Sequence, residues 1–291
     1  MPVIVSGGRG AVASSSLPCG GAGLASESTG PAAFNPLIPL RFRGLVQTAP
    51  QTVNMLIMSA APELRHGRER AAIAPVDGSV YGVVLNFRAD IDALGDALRQ
   101  PPYLAPPRAP VLYVKPANTW SADGDDIPLP AGAELVQVAA TLALVIGRVA
   151  CRVDASRALA HVASVRVVND VTLPHASVYR PAIRERCRDG FCPMGGPVAV
   201  TDLAALLARA RFRTRINGAV QQDTGAEMMV RAPASLLAAV SDFMTLLPGD
   251  LLLLGAPRQS PTARAGDVVT VEVDEVGSLE NRIVRSAEQS S

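Results

Sequence analysis

The sequence predicts a β-rich α+β fold, and three observations support this prediction. Short runs of Val, Leu and Ile are separated by Gly, Pro, Asn and Asp, which is the pattern of strands joined by turns. Helical periodicity is confined to a few short stretches. Strand and helix signals do not alternate in the regular order that a doubly wound parallel sheet requires.

Residues 1–75 differ in composition from the rest of the chain. Gly, Ala, Ser and Pro dominate them, and no period of two or of 3.6 residues is sustained. Such a segment buries too little apolar surface to offset the entropy that it loses on ordering. We expect a disordered or mis-started extension over residues 1–75, a domain over residues 76–286 and a tail over residues 287–291.

The first part of the expected domain contains three strands and two helices. Strand patterns occupy residues 80–85, 112–115 and 135–147. Helical spacing occupies residues 90–100, which end at two prolines, and residues 155–164.

The second part of the domain continues the same pattern. It predicts helices over residues 203–210 and 233–246, and strands over residues 198–200, 212–216, 251–254, 268–273 and 277–284. Asn217-Gly218 is a strong hairpin signal, because both residues tolerate positive φ. Gln221 and Thr224 follow this turn, and we expect them in a loop whose amide and hydroxyl groups suit a carboxylate or an enol.

The composition excludes several classes of protein. The chain has 291 residues and a formal net charge of +1, with no basic aromatic stripe, so we expect no nucleic-acid partner. No apolar run approaches the length of a membrane span, and no signal peptide is evident. Four cysteines in a chain of this length indicate reduced thiols rather than a disulfide framework. We therefore expect a cytoplasmic protein without a membrane partner.

The clearest candidate site lies in residues 167–195, VVNDVTLPHASVYRPAIRERCRDGFCPMG. An apolar run ends at Asp170, so a carboxylate is expected where a buried strand emerges. Four arginines follow it: Arg180, Arg184, Arg186 and Arg188. Because arginine binds carboxylates through two parallel hydrogen bonds, this stretch suits a small substrate with more than one carboxylate. A solvated turn and a short basic helix are the alternative that the residues leave open.

The same stretch resembles the central signature of the fumarylacetoacetate hydrolase family, and more narrowly the N-terminal half of its bifunctional isomerase/decarboxylases. The similarity continues through YGVVLNF, PPYLAPPRAPVLYVKPANTW, INGAVQQDTGAEMMVR and GDVVTVEVDEVGSLENRIV, and so spans about residues 78–285. It implies a mixed β-sandwich roll, as a homodimer or a hetero-oligomer with a metal-binding homologue. It also implies isomerisation and decarboxylation of an unsaturated 2-oxo (2-hydroxydienoic) polycarboxylate in 4-hydroxyphenylacetate or homoprotocatechuate catabolism.

The resemblance further implies roles for individual residues. Asp170, Lys115 and Arg186 would be catalytic, with Asp170 moving the enol proton through a carboxylate whose pKa is raised by burial. Gly255 would let the backbone approach the substrate closely. The residues implied to bind substrate are Tyr179, Arg180, Asp189, Gly190, Gln221, Thr224, Gly255 and Pro257.

The family also implies a divalent cation, Mg²⁺ or Mn²⁺, held by a Glu-x-Glu pair on one strand and an aspartate at the next strand end. Alternate strand residues share a face, so both glutamates reach one ion. Here Ala139 and Thr141 stand at those positions, and Asp170 alone remains as a metal ligand. One carboxylate is a poor replacement for three, which argues against a metal in this chain.

Two further departures bear on the reaction. The histidine that activates water in the family's hydrolases is missing, and Asp90 is its nearest equivalent. Arg186 stands in place of a lysine, and an arginine cannot act as a base. These departures argue against water-activated hydrolysis. The alternative to the isomerase/decarboxylase is a catalytically weakened partner of a metal-binding homologue, and an acylpyruvate-type C–C hydrolase is the second alternative.

Overall fold

The fold is seen in a computed structural model that describes residues 76–257 and 259–286. The predicted extension over residues 1–75 and the predicted tail over residues 287–291 lie outside the described residues. None of the helices in the described part of the chain is long and apolar enough to cross a membrane.

Short strands dominate the described residues, as the sequence predicts. They are β1 Val80–Val84, β2 Val111–Val114, β3 Trp120–Ala122, β4 Asp126–Leu129, β5 Val136–Gln137, β6 Ala140–Ile146, β7 Val162–Asn169, β8 Cys192–Met194, β9 Arg211–Ile216, β10 Ala219–Gly225, β11 Leu251–Leu253, β12 Thr262–Ala263, β13 Val268–Val273 and β14 Gly277–Arg285. The α-helices are α1 Arg88–Leu94, α2 Ala155–Ala158, α3 Ile183–Arg186, α4 Leu203–Arg209 and α5 Pro233–Phe243. Single 3₁₀ turns occupy Gly95–Arg99, Ala117–Thr119, Leu159–His161 and Ala226–Met228.

The strands form two main sheets and a small ribbon. One sheet has seven strands in the order β2-β1-β11-β6-β7-β8-β3, and the other has five in the order β10-β9-β13-β14-β4. Strands β5 and β12 form the ribbon. Both sheets are mixed, because β1 pairs with β11, β3 with β8 and β14 with β4 in parallel, whereas the other pairs are antiparallel. The predicted β-rich α+β class is confirmed.

Both faces of the seven-stranded sheet carry buried apolar side chains. Leu142 and Leu144 of β6 join the main core with Val271 of the five-stranded sheet. Ala143 lies between them in sequence and belongs to a second cluster with Val168. Since successive strand residues point to opposite faces, this alternation places a core on each side of the sheet. Full burial of each Leu contributes about 1.5–3 kcal/mol.

Several predicted elements are shorter in the structure, and the strand expected over residues 198–200 is reduced to an isolated bridge between Val198 and Val165. The strand expected over residues 135–147 is split into β5 and β6, because Val138 donates its N–H to Pro261 O of the neighbouring chain segment instead. The helix expected over residues 155–164 ends early, and β7 begins at Val162. There the β-branched side chains and pairing with β6 outweigh the helical spacing.

The loop predicted for Gln221 and Thr224 is wrong, because both lie in strand β10. The Asn217-Gly218 hairpin is confirmed, with φ of 51° and 81° at the two residues. The strands extend directly from this turn, and Thr224 pairs with Phe212 of β9. Because the two-residue turn leads directly into β10, no loop follows it.

Gly255 has a structural role in packing, and its predicted contact with substrate stays a prediction. It is buried with φ of 91°, and a Cβ at this position would lie 2.6 Å from Val83 O of β1. Its own carbonyl oxygen accepts a hydrogen bond from the Thr141 hydroxyl at 2.7 Å. The missing side chain therefore allows close packing of two protein segments.

We expect Gly255→Ala to destabilise the fold by more than Gly266→Ala does. Both glycines have positive φ, but a Cβ at Gly266 would meet nothing within 4 Å. The conformational strain, about 1–3 kcal/mol, is common to both variants, so their difference isolates the clash with Val83. Urea unfolding of the two variants measures this difference, and equal losses would contradict the packing role.

Candidate active site

Three chain segments meet at Asp170. Asp170 follows β7 directly, and its N–H donates to Ala139 O at 2.9 Å, which fixes the carboxylate at the sheet end. Tyr113 lies in β2 and Lys115 follows that strand, so both reach the same point. Arg186 closes helix α3. The sequence stretches around Lys115 and Asp170, far apart in the chain, therefore form one cluster.

The Asp170 carboxylate is bound on both oxygens. Oδ2 accepts a hydrogen bond from the Tyr113 hydroxyl at 2.6 Å and another from Arg186 Nη1 at 3.0 Å. Oδ1 lies 3.0 Å from Lys115 Nζ, as an ion pair without hydrogen-bond geometry. The side chains of Asp170, Arg186 and Lys115 are 4%, 10% and 0% exposed. We refer to Tyr113, Lys115, Asp170 and Arg186 as the Asp170 cluster.

Lys115 is held by the backbone as well as by Asp170. Its ammonium donates hydrogen bonds to Val171 O at 2.6 Å, Phe191 O at 2.8 Å and Arg186 O at 3.2 Å. Those three acceptors use all three N–H donors, which leaves Asp170 an electrostatic contact. Lys115 is therefore buried and held in one position. This geometry makes Lys115 a fixed internal cation that ties Asp170 to the chain on either side of Arg186.

The Tyr113 ring packs against the guanidinium of Arg186. The guanidinium carbon lies 4.2 Å from the centroid of the Tyr113 ring, which is a cation–π contact. Gly82 of β1 pairs with Tyr113, and any Cβ there would overlap the ring. Tyr113 was not among the residues predicted from the sequence. A glycine inside a β-strand, which often marks a close approach, was the available signal.

The Asp170 cluster carries a net positive charge. Lys115 and Arg186 contribute two positive charges and Asp170 one negative charge. Tyr113 stays neutral, because burial, followed by the charge of Asp170, raises the pKa of its hydroxyl well above the usual value. Burial likewise raises the pKa of the neighbouring Cys192 thiol to about 12. An uncompensated buried cation is costly, so the cluster favours an anionic ligand.

The expectation that burial raises the pKa of Asp170 is wrong. Burial alone acts in that direction and is the largest single influence. The charges of Lys115 and Arg186 and the Tyr113 hydroxyl together outweigh burial and lower the pKa to about 2. Asp170 is therefore a carboxylate at neutral pH and a weak base. Its neighbours suit it to hold cations in place more than to accept protons.

Arg186 is shared by two clefts. The first has a cavity volume of about 20 Å³ and contains Asp170 and Pro257. The second has a cavity volume of about 90 Å³ and contains Tyr113. The first cleft is also lined by Gln137, Ala139, Thr172 and Ser260, and the second by His175, Val178, Tyr179 and Arg180.

The structure groups some of the predicted substrate-binding residues near Arg186. Pro257 lines the first cleft, and Tyr179 and Arg180 line the second. The Tyr179 ring packs edge-on against Tyr103, with centroids 6.0 Å apart. These residues remain candidates for binding substrate.

The other predicted substrate-binding residues line neither cleft. Asp189 is exposed and accepts a hydrogen bond from Asn118 at 2.7 Å. Gly190 has φ of 70°, and a Cβ there would lie 3.0 Å from Pro128. Gln221 and Thr224, in β10, also line neither cleft. Nor does Asp90, which is the nearest equivalent in this chain of the histidine that the family's hydrolases use.

The residues around Asp170 do not fit a divalent cation. No group of three or more His, Cys, Asp or Glu side chains that could hold a metal occurs in residues 76–257 and 259–286. Ala139 offers the first cleft only a methyl group, and the Thr141 hydroxyl donates to Gly255 O at 2.7 Å. Both Asp170 oxygens already face cations. Hard divalent ions need several oxygen ligands, which this set lacks.

The fold and this site define a class of protein. Residues 79–284 match the family described as fumarylacetoacetate (FAA) hydrolase C-terminal. That match covers more than half of the 291 residues, so the chain belongs to the fumarylacetoacetate hydrolase family.

Particular relatives narrow the comparison. Over 211 residues the chain is 41% identical to the 4-hydroxyphenylacetate degradation bifunctional isomerase/decarboxylase of Escherichia coli, covering 72% of this chain and 48% of that protein. The chain thus spans about half the length of this relative. The crystal structure of 5-carboxymethyl-2-hydroxymuconate delta-isomerase from Mycobacterium smegmatis is 31% identical, with a TM-score of 0.61 over 73% of this chain and 81% of that one.

A metal-containing member shares the fold. The crystal structure of fumarylpyruvate hydrolase from Pseudomonas aeruginosa, in complex with Mn²⁺ and pyruvate, has a TM-score of 0.63 at 23% identity. The similarity covers 78% of this chain and 98% of that one. At this identity it shows a common fold and says nothing about a metal in the present chain.

Stability should fall as the pH drops from about 5 to about 2, in part through Asp170. Its folded-state pKa of about 2 lies below the unfolded value of about 3.9, so its contribution is complete above about pH 5 and is lost toward the folded pKa. The contribution amounts to about 2 kcal/mol. Urea unfolding as a function of pH tests this, because the difference between the native chain and Asp170→Asn should narrow over that range. A constant difference would contradict it.

Tyr113→Phe should cost about 1–3 kcal/mol of stability, because it removes a buried hydrogen bond to a charged group. The ring beneath Arg186 is kept. Tyr81→Phe is a matched control, since its hydroxyl makes no hydrogen bond to the described residues and the change should be nearly neutral. Thermal unfolding compares the two variants. A Tyr113→Phe variant as stable as Tyr81→Phe would show that this hydrogen bond contributes nothing.

Proposed function

We propose that this chain catalyses isomerisation and decarboxylation of an unsaturated 2-oxo (2-hydroxydienoic) polycarboxylate. The observation that carries the proposal is the net positive Asp170 cluster, buried at the wall between two clefts. Similarity to the isomerase/decarboxylase and to the delta-isomerase supports this reaction class. We place this reaction in 4-hydroxyphenylacetate or homoprotocatechuate catabolism as part of the same proposal.

Two guanidiniums account for a substrate with more than one carboxylate. Arg186 would bind the 2-oxo acid end from the wall between the clefts, and Arg180 would bind a second carboxylate in the larger cleft. Val178 and Tyr179 give the larger cleft apolar and aromatic surface. That surface suits the planar conjugated chain between the two acidic ends.

Both reactions pass through an intermediate that carries negative charge on the 2-oxo oxygen. Loss of CO₂ leaves an electron pair that delocalises along the conjugated chain onto the 2-oxo oxygen, and the chain is then protonated at carbon. Isomerisation removes a proton from one carbon and returns one to another through a similar dienolate. A fixed guanidinium beside the developing oxyanion lowers the barrier to both, because it needs no reorganisation.

Within this mechanism Asp170 orients Arg186 rather than accepting the proton. Its oxygens hold Arg186 and Tyr113 in place from one side, and Lys115 balances its charge from the other. Because the carboxylate keeps its charge at neutral pH, the guanidinium stays in a single orientation toward the clefts.

We expect Asp170→Asn to lower kcat/KM by about 100-fold, because Arg186 loses its anchor and shifts from the reacting oxygen. The loss of ultraviolet absorbance of a conjugated 2-hydroxydienoate measures turnover. Asp96→Asn is the matched control, since it removes an exposed carboxylate that pairs with Arg99 at the surface. Full activity of Asp170→Asn, with the native fold verified by circular dichroism, would overturn the proposal.

A second candidate function is a partner subunit of a metal-binding homologue. Ala139 and Thr141, which offer no carboxylate to a cation, favour it. In that case the purified chain would show no turnover alone and would raise the activity of the homologue when mixed with it. A homodimer, or a hetero-oligomer with such a homologue, in the cytoplasm is the assembly that we propose. The hydrolase alternative has no support from Asp90, which lines neither cleft.

A further inference from the structure

We infer that the Arg186 guanidinium takes the place of a divalent cation in this chain and binds the adjacent 2-oxo and carboxylate oxygens of the substrate directly. The inference rests on the proposed function, since it names how the same site holds its ligand. It follows from the contacts of Asp170, the unused donors of Arg186 and the charge of the cluster.

Both oxygens of Asp170 already face groups of the chain, although Oδ1 accepts no hydrogen bond. Tyr113 and Arg186 both donate to Oδ2, and Lys115 lies against Oδ1. Among the described residues that line the first cleft, Asp170 is the only acidic one. A divalent ion would reach its carboxylate by displacing a cation that already lies against it. The position of a metal on the carboxylate is thus already filled by a cation that belongs to the chain.

Arg186 has donors to offer a ligand. Its side chain is 90% buried, yet within residues 76–257 and 259–286 only Nη1 makes a hydrogen bond, to Asp170. The guanidinium also lines both clefts. Nε–H and the Nη2 group therefore remain for a bound molecule. Stacking on the Tyr113 ring fixes the plane in which those donors point.

The charge of the cluster favours an anion and opposes a second cation. With Lys115 and Arg186 against Asp170 alone, the buried groups already sum to one positive charge. A divalent ion placed next to Arg186 would be repelled at short range in a poorly solvated site. One negative charge on a bound anion would instead neutralise the excess.

The geometry of the ligand matches a guanidinium. The 2-oxo and carboxylate oxygens of a 2-oxo acid are neighbours, and in the enolate both carry negative charge. Two parallel N–H groups of arginine can bind such a pair in the way that they bind a carboxylate. Oxalate presents the same pair of oxygens without undergoing the reaction, and it is therefore the probe of choice.

Titration calorimetry of the full chain with oxalate tests the inference. In excess EDTA we expect oxalate to bind. Replacing EDTA with Mn²⁺ should leave the affinity unchanged within about twofold, when it is calculated from the oxalate that is not bound to Mn²⁺ in solution. Binding that appears only with Mn²⁺ would overturn the inference. So would an affinity that rises by about tenfold or more when Mn²⁺ is supplied.

Variants of helix α3 assign the binding to Arg186. Arg186→Gln should weaken oxalate binding by about 10–100-fold, because it removes charge-assisted hydrogen bonds. Arg184→Gln removes the same charge from an exposed position of that helix and should bind like the native chain. If Arg186→Gln does not fold, Arg186→Lys keeps the charge but lacks the planar guanidinium with its parallel N–H donors. It should still weaken binding by about fivefold. Native-like binding by a folded Arg186 variant would overturn the inference.

The result can be separated from the fate of the proposed function. Metal-free oxalate binding that depends on Arg186, in a chain that does not convert the dienoate, would sustain this inference and refute the proposed reaction. Conversion of the dienoate together with oxalate binding that requires Mn²⁺ would sustain the reaction and refute the inference.

Discussion

The site depends on the ion pair between Asp170 and Arg186. At 3.0 Å and almost fully buried, it joins the end of β7 to helix α3 and places a guanidinium between two clefts. Removing one partner of such a pair would leave an uncompensated charge inside the protein, which costs about 3–5 kcal/mol. The pair therefore links the stability of the fold to the orientation of the group that is expected to meet the substrate.

Lys115 makes this arrangement possible. A carboxylate with a single arginine would be electrically balanced and would offer little to an anion. The second buried cation is tolerated because three carbonyl oxygens receive its N–H groups. These carbonyl groups thus offset part of the desolvation cost of a site that is positively charged without a ligand. A chain that holds metal ligands instead would need negative charge at the same place.

Much of the fold can be predicted from the sequence, because strand alternation and the Asn217-Gly218 turn are local signals. The position of Asp170 at a strand end follows from the same alternation. The pKa of Asp170 cannot be predicted in this way. The direction of its shift depends on Lys115 and Arg186, which only the folded chain brings next to the carboxylate. The contacts of Tyr113 and the strand that contains Gln221 also depend on pairing between distant segments, which periodicity does not encode.

Gly82 extends the requirements of the site to a neighbouring strand. Because the Tyr113 ring occupies the space where a side chain of residue 82 would lie, the two positions must change together. In a homologous chain with a larger residue at the first position, an aromatic ring at the second would be forced away from the carboxylate. A substitution at Gly82 alone would therefore displace the Tyr113 ring from beneath Arg186, although residue 82 itself contacts neither Asp170 nor Arg186 through a side chain.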